Sequence, residues 1–287
     1  MTVMDPTLSA AYDTCRRMHR RHDPTYYWAT RRLPADVRPA THALYGYVRT
    51  ADQLVDGPRR AATPEARRAA LDAWEGELAR GLDEGGSANP VVGALVDSAR
   101  RHDLPLSELT PYMRSMRVDC SQVRIGSWEE LVAYMEGSAG SVGRIMAPLL
   151  GVPESHHADY GRLGLAFQHA NFVRDIAEDY RLDRIYLPLR DRERFGVTEA
   201  DFAHASASPQ LRALVEHEVA RSRRLFAAAG PAVAAAPAAV RPGIRLACAV
   251  YESVLDRVEA AGYDVLGRRM GVRFWRLPLV AFGALRP

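Results

Sequence analysis

Apolar residues recur along this chain at the three-and-four spacing of an α-helix, and runs with the period-two alternation of a strand are nearly absent. A chain patterned this way hides its apolar stripes by packing helix on helix, so the expected fold class is all-α, a helical bundle. Pro34 is expected to open a helix running to Asp56. Thr63 and Glu65 open a second, TPEARRAALDAWEGELARGL, with Pro64 in the first turn, where proline is tolerated. Further helices are expected from Pro90, from Ser107 and from Ser127 (SWEELVAYMEGSAGSVGRIMAPLL). Three more follow over Ala158–Tyr180, Pro209–Ala229 and Ala239–Leu266. Gly and Pro mark the joints at Gly57-Pro58, Gly85-Gly86 and Gly151-Val152-Pro153. No repeat or linker interrupts the pattern, so residues 1–287 read as one domain. The Ala-rich stretch 227–240 reads as close helix packing rather than disorder.

Composition excludes several functions. The chain is 47% hydrophobic with a net charge of +3, so it carries no broad nucleic-acid footprint and no nucleic-acid partner is expected. All its Lys+Arg residues are Arg, which rules out a Schiff-base lysine and a Walker A phosphate loop. Cys15, Cys120 and Cys248 form no CxxC pair, which argues against a disulfide framework or a zinc site and fits a reducing cytoplasm. No signal peptide is recognisable, and no apolar run approaches the ~20 residues of a membrane span. The 272–285 tail (VRFWRLPLVAFGAL) is the one segment suited to peripheral membrane contact. Arg16, Arg17, Arg20 and Arg21 read as a solvated helix face.

Two short segments carry the chemistry. Arg49-Thr-Ala-Asp52-Gln53-Leu-Val-Asp56 and Arg174-Asp175-Ile-Ala-Glu178-Asp179 each set two Asp four residues apart, so both carboxylates point the same way on a helix. Tyr45, Arg49, Asp52 and Asp56 share one arc; Gln168, Asn171, Asp175 and Asp179 form a polar stripe on the other. Acidic residues four apart usually sit in solvent. Here two such pairs each follow an Arg, and uncharged amides share the second stripe. Mg²⁺ takes carboxylates together with substrate phosphates, and arginine binds phosphate oxygens bidentately. Facing pairs would therefore hold Mg²⁺ around a diphosphate and stabilise it as a leaving group, with an apolar interior and aromatic faces sheltering the resulting allylic cation.

At these residues the chain resembles the squalene/phytoene synthase family over nearly its whole length. His22-Asp-Pro-Thr-Tyr26-Tyr-Trp28, Leu33-Pro34 and Ala43-Leu-Tyr45-Gly46 are similar to the family's opening. Tyr134 with Gly137-Ser-Ala139-Gly140-Ser-Val-Gly143 resembles its central motif, and 171–179 with Arg184-Ile-Tyr186-Leu-Pro188 its second Asp-rich motif and flap. Tyr251 and the stretch from Gly262 to Arg269 are similar to its last long helix. The resemblance implies an isoprenoid-synthase bundle with a central cavity and Asp52, Asp56, Asp175 and Asp179 as Mg²⁺ ligands. It further implies His22, Arg49, Arg174, Tyr251 and Arg268 near diphosphate, Tyr134, Gln168 and Asn171 at the reacting region, and Tyr26, Tyr45 and Ala139 lining the pocket.

Three positions depart from the family pattern: Gln53 stands where an acid is usual, Glu136 where a Tyr is usual, and Thr30 where an aromatic is usual. Gln53 weakens the acidic cluster that a double ionisation needs, and Glu136 is a candidate base for an attacked aromatic ring. The sequence reading therefore leans to transfer of one prenyl group to a carbazole-type aromatic acceptor. Its alternative is head-to-head condensation of two prenyl diphosphates, with no NADPH expected. The remote alternative is a non-catalytic assembly factor, which retention of all four aspartates disfavours.

Overall fold

The computed structural model describes residues 5–267; Arg268 and the 272–285 tail lie outside the described residues. Thirteen α-helices make up most of the described fold. The N-terminal half contains α1 (Pro6–His22), α2 (Pro24–Thr30), α3 (Arg38–Asp56), α4 (Pro64–Glu84), α5 (Pro90–His102), α6 (Leu109–Val118) and α7 (Trp128–Met135). Then come α8 (Ser141–Leu149), α9 (His157–Arg181), α10 (Leu189–Phe195), α11 (Pro209–Ala228), α12 (Gly230–Ala235) and α13 (Arg241–Ala260). No described helix is long and apolar enough to cross a membrane.

Where boundaries differ from expectation, proline explains them. The helix expected from Pro34 begins at Arg38 because Pro39 sits in its first turn. Further in, Pro39 would lack a donor and clash with the carbonyl four residues back. Pro242 likewise delays α13 to Arg241, and the Gly262 turn, at φ 61°, ends it at Ala260 rather than Leu266. The single helix expected from Ser127 is two, joined by a π-helical turn at Glu136–Gly140. Ser127 caps the first by accepting from the Glu130 amide.

The largest apolar cluster joins α1, α3, α4, α5, α6 and α8 through Tyr47, Leu71, Leu95, Met113 and Ile145. A second joins α9, α11 and α13 through Val173, Leu214, Leu255 and Val258. Helix α9 runs between them and touches both α8 and α11. It lies so close to α8 that a Cβ on Gly164 would run into the Ala139 carbonyl oxygen, and one on Gly143 into that of Tyr160. Backbone cannot give way as a flexible side chain does. Gly164→Ala is therefore expected to cost about 2 kcal/mol in urea unfolding; a loss below about 0.5 kcal/mol would mean the helices have room to spare.

The sequence shows almost no strand signal, yet Val123–Arg124 (β1) and Arg184–Ile185 (β2) pair in parallel. Two-residue strands are too short for periodicity to reveal, but this pair sets the position of Arg184.

Candidate active site

Helices α3 and α9 bring their C-terminal turns together, and with them both carboxylate pairs. Burial raises the proton affinity of Asp179 well above the carboxylate norm. The negative field of Asp175 adds to it, Arg184 opposes it, and Asp119 and Asp56 contribute further. That mutual influence places aspartates from distant parts of the sequence in one electrostatic cluster. Asp52 is pushed up to about 6 by burial, against the Tyr112 hydroxyl, which donates to it at 3.0 Å, and against Arg49. Hard oxygen donors gathered in a poorly solvated place are suited to a multivalent, oxygen-seeking cation, so the residues present fit Mg²⁺ or a similar divalent ion.

Arginines hold this cluster in place. Arg174 grips Asp175 with Nε to Oδ1 at 2.7 Å and Nη2 to Oδ2 at 2.5 Å. Arg184, only 4% exposed, donates to both carboxylate oxygens of Asp56, with Nη1 to Oδ2 at 2.8 Å, and its Nη2 also donates to the Asp119 carbonyl. The Asp119 side chain accepts from the Tyr186 hydroxyl at 2.8 Å and from the Tyr134 hydroxyl, and burial lifts its carboxyl to about 6. Arg49 sits half-buried with Nη1 3.9 Å from Asp52 and its Nε without a partner.

Below the carboxylates opens a cavity of about 320 Å³. Asn171, Gln168 and Tyr251 line it on the carboxylate side, along with Tyr26, Tyr45 and Ala139; its body is apolar. Phe167 stacks on Tyr251 at 4.5 Å, and Tyr45 on His19 at 3.9 Å. Asn171 keeps a buried Oδ1 with no partner, an acceptor available to a ligand. Thr30 also lines the wall, its hydroxyl turned back to the Tyr26 carbonyl, so the missing aromatic leaves space.

Three expected site residues lie elsewhere. Glu136 is absent from the cavity wall because Arg144 draws its carboxylate away at 2.8 Å, leaving the side chain 43% exposed. Tyr134 faces the Asp119 network behind the carboxylates, its ring against Phe172 and Tyr186, rather than the cavity. His22 is exposed at the rim, where its Nε2 meets Gln53 Nε2 at 3.2 Å. Sequence reasoning left Arg184, Asp119 and Tyr112 out of the site. In the sequence Arg184 and Tyr186 stand out only as part of a motif, and Asp119 has no acidic partner at helical spacing.

His169, next to Gln168, points the other way. Its Nδ1 lies 2.6 Å from Ser222 Oγ and its Nε2 3.1 Å from Glu218. The connectivity is that of a hydrolytic triad, but all three side chains are at most 1% exposed, so no substrate reaches them. The network instead fixes the rotation of α9 against α11.

A second buried histidine pair backs the aromatic wall. His19 and His42 bring their Nδ1 atoms to 2.9 Å, which requires one donor and one acceptor, so the accepting ring is neutral. Burial, then the neighbouring His42, pulls His19 down to about 3; burial, then Arg16, pulls His42 to about 4. An unfolded histidine takes up a proton below about 6.5. The unfolded state therefore binds more protons below that pH, and stability falls as pH drops from 6.5 toward 4. The expected loss from the pair is about 5 kcal/mol by pH 4.5, shared roughly equally between the two rings. Asp119, with its raised pKa, has the opposite sign, so the diagnostic is the difference between wild type and His42→Gln. That difference should shrink on acidification, and a pH-independent difference would show the pair is not held neutral.

Comparison with known proteins places this geometry in context. The family model described as squalene/phytoene synthase matches residues 19–276. A phytoene synthase of Arthrospira platensis is 32% identical, covering 97% of this chain and 94% of its own. One from Thermus thermophilus is 32% identical, with coverages of 96% and 93%. Among solved structures, a squalene synthase from Alicyclobacillus acidocaldarius is 28% identical with a TM-score of 0.80, covering 91% of this chain and 97% of its own. A dehydrosqualene synthase at 24% identity has a TM-score of 0.88, a likeness of fold, over 96% of each chain.

Proposed function

Because this chain belongs to the squalene/phytoene synthase family and is thus a prenyltransferase, we propose that it condenses two molecules of one prenyl diphosphate head to head. The reading includes Mg²⁺ as the divalent ion and no reductant, as befits relatives named phytoene synthase. The observation that carries it is the cavity wall. Among the described residues its one lining carboxylate is Asp23, which caps α2 by accepting from the Tyr26 amide at 2.8 Å. Glu136, the base an aromatic acceptor would need, is tied to Arg144 outside. An apolar cavity suits a second prenyl chain, and the protons that head-to-head coupling releases can leave with the departing pyrophosphates; with relatives named phytoene synthase, the lean toward a carbazole-type acceptor is unsupported.

Asp52, Asp56, Asp175 and Asp179 would hold the metal, whose charge would make the diphosphate a better leaving group. The protein's own residues do the rest. Arg174 orients Asp175, and with Arg49 it offers donors to phosphate oxygens. The faces of Tyr26, Tyr45, Phe167 and Tyr251 stabilise the allylic cation left when the C1–O bond breaks. The apolar wall keeps water from quenching it. The same cavity receives the second chain, which supplies the π-electrons for the new C–C bond; both C1–O bonds break in the full sequence, and loss of two protons to the released pyrophosphates leaves the neutral hydrocarbon.

Product mass spectrometry tests the reading. Purified protein with Mg²⁺ and either farnesyl or geranylgeranyl diphosphate alone is expected to give a C30 or C40 hydrocarbon. Product formed only when a hydroxylated aromatic or carbazole is added would reverse it.

A further inference from the structure

The cavity has a direction. Along α9 its lining residues are Tyr160, Leu163, Gly164, Phe167, Gln168 and Asn171, spaced three or four apart on one face, with Asp175 next in the same register. Along α3 the wall runs from Thr41 and Leu44 up to Val48, with Asp52 beyond. Both helices therefore carry their carboxylates at one end of the cavity and apolar side chains at the other. At that far end stands Tyr160, 3% exposed, with Met146 and Leu150 of the α8 segment also in the wall. Helical side chains lean toward the N-terminus, which carries the Tyr160 ring beyond its own backbone, across the end of the cavity. Among the described residues its hydroxyl has no hydrogen-bond partner, so the bulk of the ring is what the position uses.

We propose that Tyr160 is the end wall that sets donor chain length, and that the cavity measures four isoprene units. This rests on the prenyl diphosphate reading above. Asn171 lies eleven residues from Tyr160, about 16 Å along the helix, and the lean of the tyrosine adds a few ångströms. An extended carbon chain advances about 1.2 Å per bond, so a C20 prenyl chain reaches about 18 Å, a C15 chain about 13 Å and a C25 chain about 23 Å. The C20 chain fills the length, the C15 chain stops short of Tyr160, and the C25 chain meets the ring. Small residues along the wall, Ala139 and Ala247, leave width rather than depth.

Binding of non-ionisable thiolodiphosphate analogues with C15, C20 and C25 chains separates this assignment from the reading beneath it, because no condensation is needed. Affinity is read by tryptophan fluorescence with Mg²⁺ present. Wild type is expected to bind C20 at least ~10-fold more tightly than C25, the scale on which a filled apolar pocket rejects added bulk. Tyr160→Ala should move the C25-to-C20 ratio at least ~10-fold toward C25, and Tyr160→Trp should move preference toward C15. Tyr160→Phe should keep the wild-type order. Unchanged ratios in Tyr160→Trp and in folded Tyr160→Ala would overturn the assignment while leaving the prenyl diphosphate reading intact. Failure of wild type to bind any of the three analogues would overturn both.

Discussion

Asp175→Asn is expected to lower kcat about 10³-fold with little change in melting temperature. The substitution keeps the shape of the side chain and one acceptor for Arg174, so the local structure has no reason to move. It removes a full negative charge from a cluster in which Asp175 is the largest charged contributor to the raised proton affinity of Asp179. Relief of that repulsion keeps the fold at least as stable, while the carboxylates lose the charge that holds a divalent ion against a diphosphate. Steady-state pyrophosphate release, compared with thermal unfolding of the same preparation, checks both halves. A rate within 10-fold of wild type would remove Asp175 from the machinery.

Arg184→Leu should show the reverse emphasis, a large structural cost. The guanidinium is almost fully buried and serves Asp56 and the Asp119 carbonyl at once. Deleting one partner of such a group strands the other charges in a poorly solvated place, at a cost of roughly 3–5 kcal/mol. The melting temperature should fall by about 10 °C. Because Asp56 then loses the guanidinium that grips both of its oxygens, added Mg²⁺ is expected to raise the melting temperature of the variant more than that of wild type. A loss of only a degree or two, with no difference in the response to Mg²⁺, would mean that Arg184 is dispensable to the cluster.

These two residues also show where the sequence was readable. Asp175 and Asp179 stand four apart on one helix, and a periodic pattern exposes that directly. Arg184 pairs with Asp56 from 128 residues away, positioned by a two-residue strand pair, and no local pattern encodes such a contact. Asp119 was invisible for the same reason, since its partners Tyr134 and Tyr186 come from different elements. The all-α class was legible because amphipathic spacing runs through nearly every segment. Helix starts were displaced where a second proline, Pro39 or Pro242, had to occupy the first turn. Glu136 misled because its chemistry was read without its neighbour: Arg144, eight residues on and across the π-helical turn, takes its carboxylate out of the cavity.

The most direct test of the central claim is the pyrophosphate count per product molecule, with one prenyl diphosphate and Mg²⁺ as the only additions. Head-to-head condensation in this cavity requires two ionisations, so the expected result is two pyrophosphates released for each hydrocarbon formed. One pyrophosphate per product, or release that begins only when a separate acceptor is supplied, would contradict it.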